Sequence, residues 1–493
     1  MSQAASSAES FPDIVRWDAS RLSSAIHARD VSCREVMSAY LAHIDRFNPR
    51  INAIVSRRDS DELIREADQC DLELDQGRSR GWLHGIPQAI KDLSDARGLP
   101  TSMGSPLFVG QSAGSDSLMA ARLRQAGALF IGKTNTPEFG LGSHTFNEVH
   151  GATRNPWQPA LSAGGSSGGA AAALACRLLP VADGSDMMGS LRNPAAFNNV
   201  FGLRPSFGRV PMLSAGDNFG QQLSTAGPMA RSVSDLSRLL SLQAGAHSSV
   251  PLSITDDPTL LLPPFETSVA GTRIGWIGDW EGYLAMEEGV LPLCEKALNV
   301  FQTLGCEIAP VTPGIDPDSL WSAWLVLRQW AVAGNLSSLW QDSRCRDALK
   351  PEACWEIERG VALSAMQVFE ANRTRSRWYA CLLELFERYD YLALPSAQVF
   401  PFPVEQRWPS EINGRTMDTY HRWTEVVIPG SMSGCPVISL PAGFNDNGLP
   451  MGVQLIGRHR AERAMLALAG AYEAAATGWI DALPDPMMTQ GVL

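Results

Sequence analysis

The sequence predicts a large soluble globular protein that contains both helices and strands, with a length that allows one large α/β unit, and three observations bear on it. The chain has 493 residues, enough for about three ordinary domains or for one large α/β unit, and well beyond the size at which a core needs staples. It is 45% hydrophobic and 19% charged, an ordinary globular balance that excludes collagenous and broadly disordered chains. Segments with helical apolar periodicity alternate with short apolar runs of strand length.

Taken in order, residues 1–11 read as a disordered tail. A helix begins after Asp18 as N-cap, with Leu22 and Ile26 on one face. A second opens on the capping box Ser32-Cys33-Arg34-Glu35 and runs to about Phe47, with Val36, Tyr40 and Ile44 inward. Residues 51–55 are a short strand candidate and 59–77 an acidic helix. From His84 to about Pro211 charges thin out and glycines cluster, and residues 155–176 carry no charged side chain. The Gly/Ser-rich part of that stretch ends in a helix-forming run, 170–179, and reads as a buried loop feeding a helix N-terminus. Residues 251–268 are Pro-rich and connect two parts; 272–277 read as a strand and 288–304 as a helix. Residues 318–388 are largely helical. Ten of the 14 tryptophans fall between 276 and 423; core packing accounts for most, and the others are candidates to line an apolar pocket. Residues 391–394, 437–440 and 452–456 read as buried strands, and 460–476 as a closing helix.

Composition narrows the function. The net charge is −12, without the basic footprint of a nucleic-acid binder. The nine cysteines are dispersed and form no CxxC pair, so neither a disulfide framework nor a zinc site is suggested. The polar start MSQAASSAES has no apolar signal region. The uncharged, apolar run 426–445 is broken by Pro429, Pro436 and Pro441, so no membrane helix is expected; a soluble, cytoplasmic location follows. Of the 40 basic residues only Lys91, Lys133, Lys296 and Lys350 are lysine. A codon bias toward arginine explains most of this, yet a lysine kept in an apolar segment offers what arginine cannot, a proton it can lose.

Three motifs carry chemistry. Lys91 ends the apolar segment His84-Gly85-Ile86-Pro87-Gln88-Ala89-Ile90; it is either partly buried or half of a surface pair with Asp92. Gly164-Gly165-Ser166-Ser167-Gly168-Gly169 places backbone N–H groups at what looks like a helix start, which by itself also fits a phosphate cradle, though without the GK[ST] ending of a Walker loop. Gly184-Ser185-Asp186-Met187-Met188-Gly189-Ser190-Leu191-Arg192-Asn193-Pro194 follows a short apolar strand and turns sharply. Ser190 is not in a GxSxG context, which makes a Ser–His–Asp triad the weaker reading.

Together the three motifs resemble the amidase signature family of serine hydrolases. Supporting segments include Gly132-Lys133-Thr134-Asn135-Thr136-Pro137-Glu138, Phe201-Gly202-Leu203-Arg204-Pro205 and Gly434-Cys435-Pro436-Val437. The resemblance covers nearly the whole chain. It implies a single domain over 12–493, an α/β/α sandwich with a large mixed, mostly parallel sheet covered by helices. Residues 84–235 would be its core and 310–425 a variable helical region shaping the substrate entrance. It implies a Ser–cis-Ser–Lys triad on Ser190 as nucleophile, Ser166 as bridge after a cis Gly165–Ser166 bond, and Lys91 as base. The pair Ser166/Ser167 does not itself say which serine bridges; the family's 24-residue spacing to the nucleophile selects Ser166.

By the same resemblance the backbone N–H groups of Met187, Met188, Gly189 and Ser190 form the oxyanion hole, while Ser167, Asp186 and Arg192 support the loop; a surface cation is the bland alternative for Arg192. Gly140, Leu141 and Met188 line the substrate pocket. No cofactor and no metal are implied. The expected partner is a small-molecule amide, with no nucleic acid and no membrane, and a homodimer is compatible. Neutral Lys91 as base requires its pKa to fall about 3 units by burial, with Asp92 pointing away. The family usually has Gly-Gly before the nucleophile, where this chain has Met188-Gly189. The resemblance leaves two readings, a stand-alone amidase and the ammonia-supplying component of a tRNA-dependent amidotransferase, and the departure at Met188 adds a third, a non-catalytic relative disabled there.

Overall fold

The computed structural model describes residues 13–213, 217–220, 222–265 and 268–484; the tail 1–11 lies outside them. Asp18 accepts the Arg21 N–H at 2.6 Å and starts the helix Ala19–Ala28. Ser32 and Glu35 close the capping box of the helix Cys33–Ile51, whose Val36, Tyr40 and Ile44 are buried. The acidic helix is Ser60–Asp75, and the closing helix Glu462–Ala475.

Thirteen strands follow one another among the described residues: β1 (Ile54–Val55), β2 (Pro87–Lys91), β3 (Leu129–Thr134), β4 (Val181–Asp186), β5 (Phe201–Arg204), β6 (Thr225–Ala230), β7 (Arg273–Trp276), β8 (Glu307–Pro310), β9 (Tyr391–Pro395), β10 (Glu411–Ile412), β11 (Arg415–Thr416), β12 (Val437–Phe444) and β13 (Pro450–Ile456). Eight of them form one sheet in the order β4-β6-β5-β12-β13-β9-β7-β8. The sheet is mixed and covered by helices, but it is not mostly parallel. Its pairings β4–β6, β6–β5, β5–β12, β12–β13 and β13–β9 are antiparallel. Only β9–β7 and β7–β8 run parallel.

Parallel neighbours need a crossover, and antiparallel ones can be joined by a tight turn. The helix Val290–Thr303 supplies that crossover between β7 and β8. Residues 445–449, by contrast, close β12 and β13 into a hairpin.

A second sheet, β1-β3-β2, brings β2 and β3 together in parallel, and β2 also lies beside β4 of the large sheet. That contact joins the first and third sequence motifs. The helix Gly168–Ala175 starts directly after Ser167 and is wholly buried, which places the second motif between them. The helices Pro317–Gln341, Pro351–Val361 and Ala365–Arg388 account for the long helical region. No helix among the described residues is long and apolar enough to cross a membrane.

Candidate active site

Lys91 ends β2, and its side chain is 1% exposed. A buried strand delivers it, so burial penalises the charged form of its amine. Its Nζ lies 2.8 Å from Ser166 Oγ, 2.8 Å from Ser167 Oγ and 3.1 Å from Ser185 Oγ. Burial lowers its pKa to about 7 against the opposing pull of Asp183 and Asp186. The surface pair with Asp92 is absent. Asp92 is fully buried and turned away, accepting the Ser102 hydroxyl at 2.5 Å, with Lys133 Nζ 3.8 Å off.

Ser166 follows a cis peptide bond from Gly165. Its neighbour Ser167 is equally close to Lys91, so distance to the amine does not separate the two. Surroundings do: Ser166 lines a cavity of about 300 Å³ together with Ser190, whereas Ser167 is fully buried behind it. Ser167 instead ties the motifs together, its N–H donating to Ser190 O at 3.3 Å and its hydroxyl to Ser185 O at 3.4 Å. Gly184 permits this approach, because a Cβ there would sit 2.7 Å from Ser167 Oγ.

The glycine-rich loop is not a phosphate cradle. Its four glycine N–H groups already have acceptors: Gly164 donates to Ser162 Oγ, Gly165 to Asn193 Oδ1, Gly168 to Thr145 Oγ1 and Gly169 to Asn135 O.

The third motif is held by a buried ionic knot. Asp186 accepts Arg192 Nε at 3.0 Å and Arg204 NH1 at 3.1 Å, with every partner at most 1% exposed. Burial alone would raise the Asp186 pKa, but the two guanidinium groups hold it well below the usual carboxylate range. Arg192 is therefore no surface cation; it also donates to Val427 O, Gln454 Oε1 and Ser431 Oγ.

The same carboxylate takes two loop N–H groups, Gly189 at 2.9 Å and Leu191 at 3.2 Å. That corrects one expectation: the Gly189 N–H is engaged by Asp186 and does not point at an oxyanion. Gly189 has a different task. Its φ of 76° is in the left-handed region, and a Cβ would meet Val427 Cγ2 at 2.8 Å. Met188, where the family usually has glycine, is not among the residues with positive φ. Its side chain lines the cavity, with Thr424 Oγ1 3.7 Å from its sulfur. The methionine thus forms part of the pocket wall, and the left-handed position falls to Gly189.

Gly140 and Leu141 line the same cavity, and a Cβ on Gly140 would come within 3.6 Å of Ser166 Oγ. The helix Pro317–Gln341 adds Arg328, Val332, Asn335 and Leu336 to the lining. No tryptophan lines the cavity: Trp324, Trp378 and Trp423 are fully buried core, and the apolar wall comes from Leu93, Met103, Phe139, Leu141, Met187 and Met188.

Sequence reasoning missed Ser185 and Asp183. Both face Lys91 from β4, Ser185 through its hydroxyl and Asp183 by accepting the Lys91 backbone N–H at 3.2 Å. Their two-residue spacing on a strand was the available signal.

The family model described as Amidase matches residues 35–466. The chain is similar to an acylamidase of Rhodococcus erythropolis, 34% identical over 476 residues, covering 95% of this chain and 98% of that one. It is 32% identical to the A-type chain of the glutamyl-tRNA(Gln) amidotransferase of Chloroflexus aurantiacus, covering 91% and 94%. Among solved structures, a bacterial aryl acylamidase of the amidase signature enzymes superposes with a TM-score of 0.89 at 28% identity, over 98% of this chain and all of that one.

Proposed function

Because the chain belongs to the amidase signature family, we propose that it hydrolyses the C–N bond of a linear carboxamide through an acyl-enzyme on Ser190. Ser166 relays the Ser190 proton to neutral Lys91 as the hydroxyl oxygen attacks the carbonyl carbon. The N–H groups of Met187, Met188 and Ser190 hold the oxyanion, with Gly189 excluded by its bond to Asp186. As the tetrahedral species collapses, Lys91 returns the proton through the serines to the leaving nitrogen. Water then attacks the ester, and Lys91 again takes and returns a proton.

One observation carries this reading. The Lys91 amine is buried with serine hydroxyls and a carbonyl as its hydrogen-bond partners and no carboxylate bonded to it. A lysine in that setting loses its proton near neutrality and so serves as a base.

The direct test is amine or ammonia release from a panel of aliphatic and aryl amides. The rate should rise with pH through a midpoint near 7, where burial places Lys91. The sign follows from the role: the protonated amine cannot accept, so kcat/KM falls about tenfold per pH unit below the midpoint. A rate flat from pH 5 to 8 would remove Lys91 as base. Ser166→Ala should cost about 100-fold or more in kcat and Ser167→Ala about tenfold or less; the reverse order would move the relay to Ser167.

A second reading has specific support in the glutamyl-tRNA(Gln) amidotransferase chains among the relatives. There the same chemistry would release ammonia inside a complex. Silence of the isolated chain on every amide, with turnover restored by a co-expressed partner, would favour it. The acylamidase relatives, matching at higher identity or over almost the whole chain, favour the stand-alone enzyme.

A further inference from the structure

The wall of the cavity formed by the helix Pro317–Gln341 carries a buried polar cluster that the chemistry above does not use. Arg328 is 3% exposed and lines the cavity that Ser166 and Ser190 also line. Its Nε donates to Glu356 Oε1 at 2.5 Å and its NH2 to the Tyr420 hydroxyl at 2.7 Å. Tyr420 in turn donates to the same Glu356 oxygen at 2.7 Å. Among the described residues the remaining guanidinium nitrogen, NH1, has only the Met187 sulfur, 3.5 Å away. A thioether is a weak acceptor, and Met187 lines the same cavity. His421 also lines it, and its Nε2, 3.4 Å from Glu356 Oε1, has no hydrogen-bond partner.

We propose that this part of the cavity is a recognition subsite in which Arg328 NH1 donates to a neutral acceptor, such as a ketone, ester, ether or second amide oxygen, carried by the substrate away from its scissile bond. This rests on the amide-hydrolase reading and adds the substrate class to it. An otherwise apolar cavity with one under-used cationic donor discriminates strongly, because an alkyl group placed there leaves the donor unpaired and dry.

Charge decides between a neutral and an anionic acceptor. The positive Arg328 is matched by Glu356, whose carboxyl burial alone would raise but Arg328 and the Tyr420 hydroxyl hold down to about 2. Burial lowers His421 to about 4 and raises the Tyr420 hydroxyl, so both are neutral. The cluster therefore sums to zero. A neutral acceptor keeps it there, whereas a carboxylate would bury an uncompensated charge against Leu336 and Val332.

The test uses isosteric amides in which the distal group is electronically insulated from the reacting carbonyl. One trio is 5-oxohexananilide, 5-methylhexananilide and the monoanilide of glutaric acid, extended to chains one carbon shorter and longer. A matching trio carries the distal group on the amine side of acetamides. The intact enzyme should prefer the oxo compound to its alkyl isostere by about tenfold in kcat/KM in at least one series, mainly through KM, with the carboxylate poorest. In Arg328→Met the oxo-to-alkyl ratio should fall to about one.

That variant strands the Glu356 carboxylate, so Arg328→Met/Glu356→Gln, which keeps the cluster neutral, is measured beside it and should give the same ratio. Equal rates for oxo and alkyl compounds in every series would overturn the subsite while leaving amide hydrolysis intact. So would a ratio that survives both variants, or a carboxylate preferred to the ketone. Hydrolysis of none of the compounds by the intact enzyme would overturn the amidase reading and the subsite with it.

Discussion

Ser190→Ala is expected to lower kcat for amide hydrolysis by about 10⁵-fold, the scale on which a serine hydrolase loses its nucleophile. The loss is chemical and not structural. Ser190 is 7% exposed on the cavity wall, and its loop is held by Asp186 through Gly189 and Leu191. Those contacts do not involve the serine hydroxyl, so the melting temperature should stay within about 2 °C of the parent. A fluorophosphonate should add one adduct to the parent chain, on Ser190, and none to the variant. A parent chain that takes no adduct would revive the idea of a relative silenced at Met188. An alanine variant that still turns over would place the nucleophile elsewhere.

Lys91→Met separates catalysis from stability with opposite signs. Methionine keeps the volume and removes the proton acceptor, and the rate should fall by about 10⁴-fold. Stability should depend on pH. In the unfolded chain the lysine holds its proton to about pH 10.4; in the folded chain it releases it near 7. Between these values the unfolded state binds more protons, so the parent gains stability as pH rises. Keeping Lys91 buried thus costs about 4 kcal/mol at pH 7 and little at pH 10. The variant escapes that cost but loses the serine hydroxyl bonds, at about 1 kcal/mol each. Denaturation at pH 6 should therefore find Lys91→Met the more stable protein, and at pH 10 the less stable. A difference independent of pH would mean that Lys91 is not buried as described.

Much of this site was legible because its chemistry is local. The three motifs lie within short stretches, and the capped helices announce themselves by Asp18, Ser32 and Glu35. The direction of the Asp92 side chain was also deducible, from what a neutral lysine requires. Strands were harder. β6 reads Thr-Ala-Gly-Pro-Met-Ala, with Pro228 inside a strand paired on both sides, a residue that local rules push to sheet edges. β3 and β5 also carry glycine and are buried throughout, so they show no alternation to read.

Strand direction depends on which elements become neighbours, and the expected parallel majority failed there. The tryptophans misled for a related reason: size and apolarity mark core and pocket alike. Gly189 illustrates the last limit. A loop N–H can serve an oxyanion or a side chain, and only the position of Asp186 decides.

The burial of the lysines has a consequence outside catalysis. Lys91 and Lys133 are sealed in the interior, and the Lys350 amine is held against Leu141 O at 2.6 Å. Of the four lysines, Lys296 stands alone in the exposed class. Acylating reagents, aldehyde cross-linkers and activated resins all seek lysine amines, and on the folded surface they meet one lysine that is open. Apart from the α-amine, such reagents would therefore attach this protein through the helix Val290–Thr303. The same scarcity of accessible lysine that leaves the base dry would let the molecule be attached to a support without touching it.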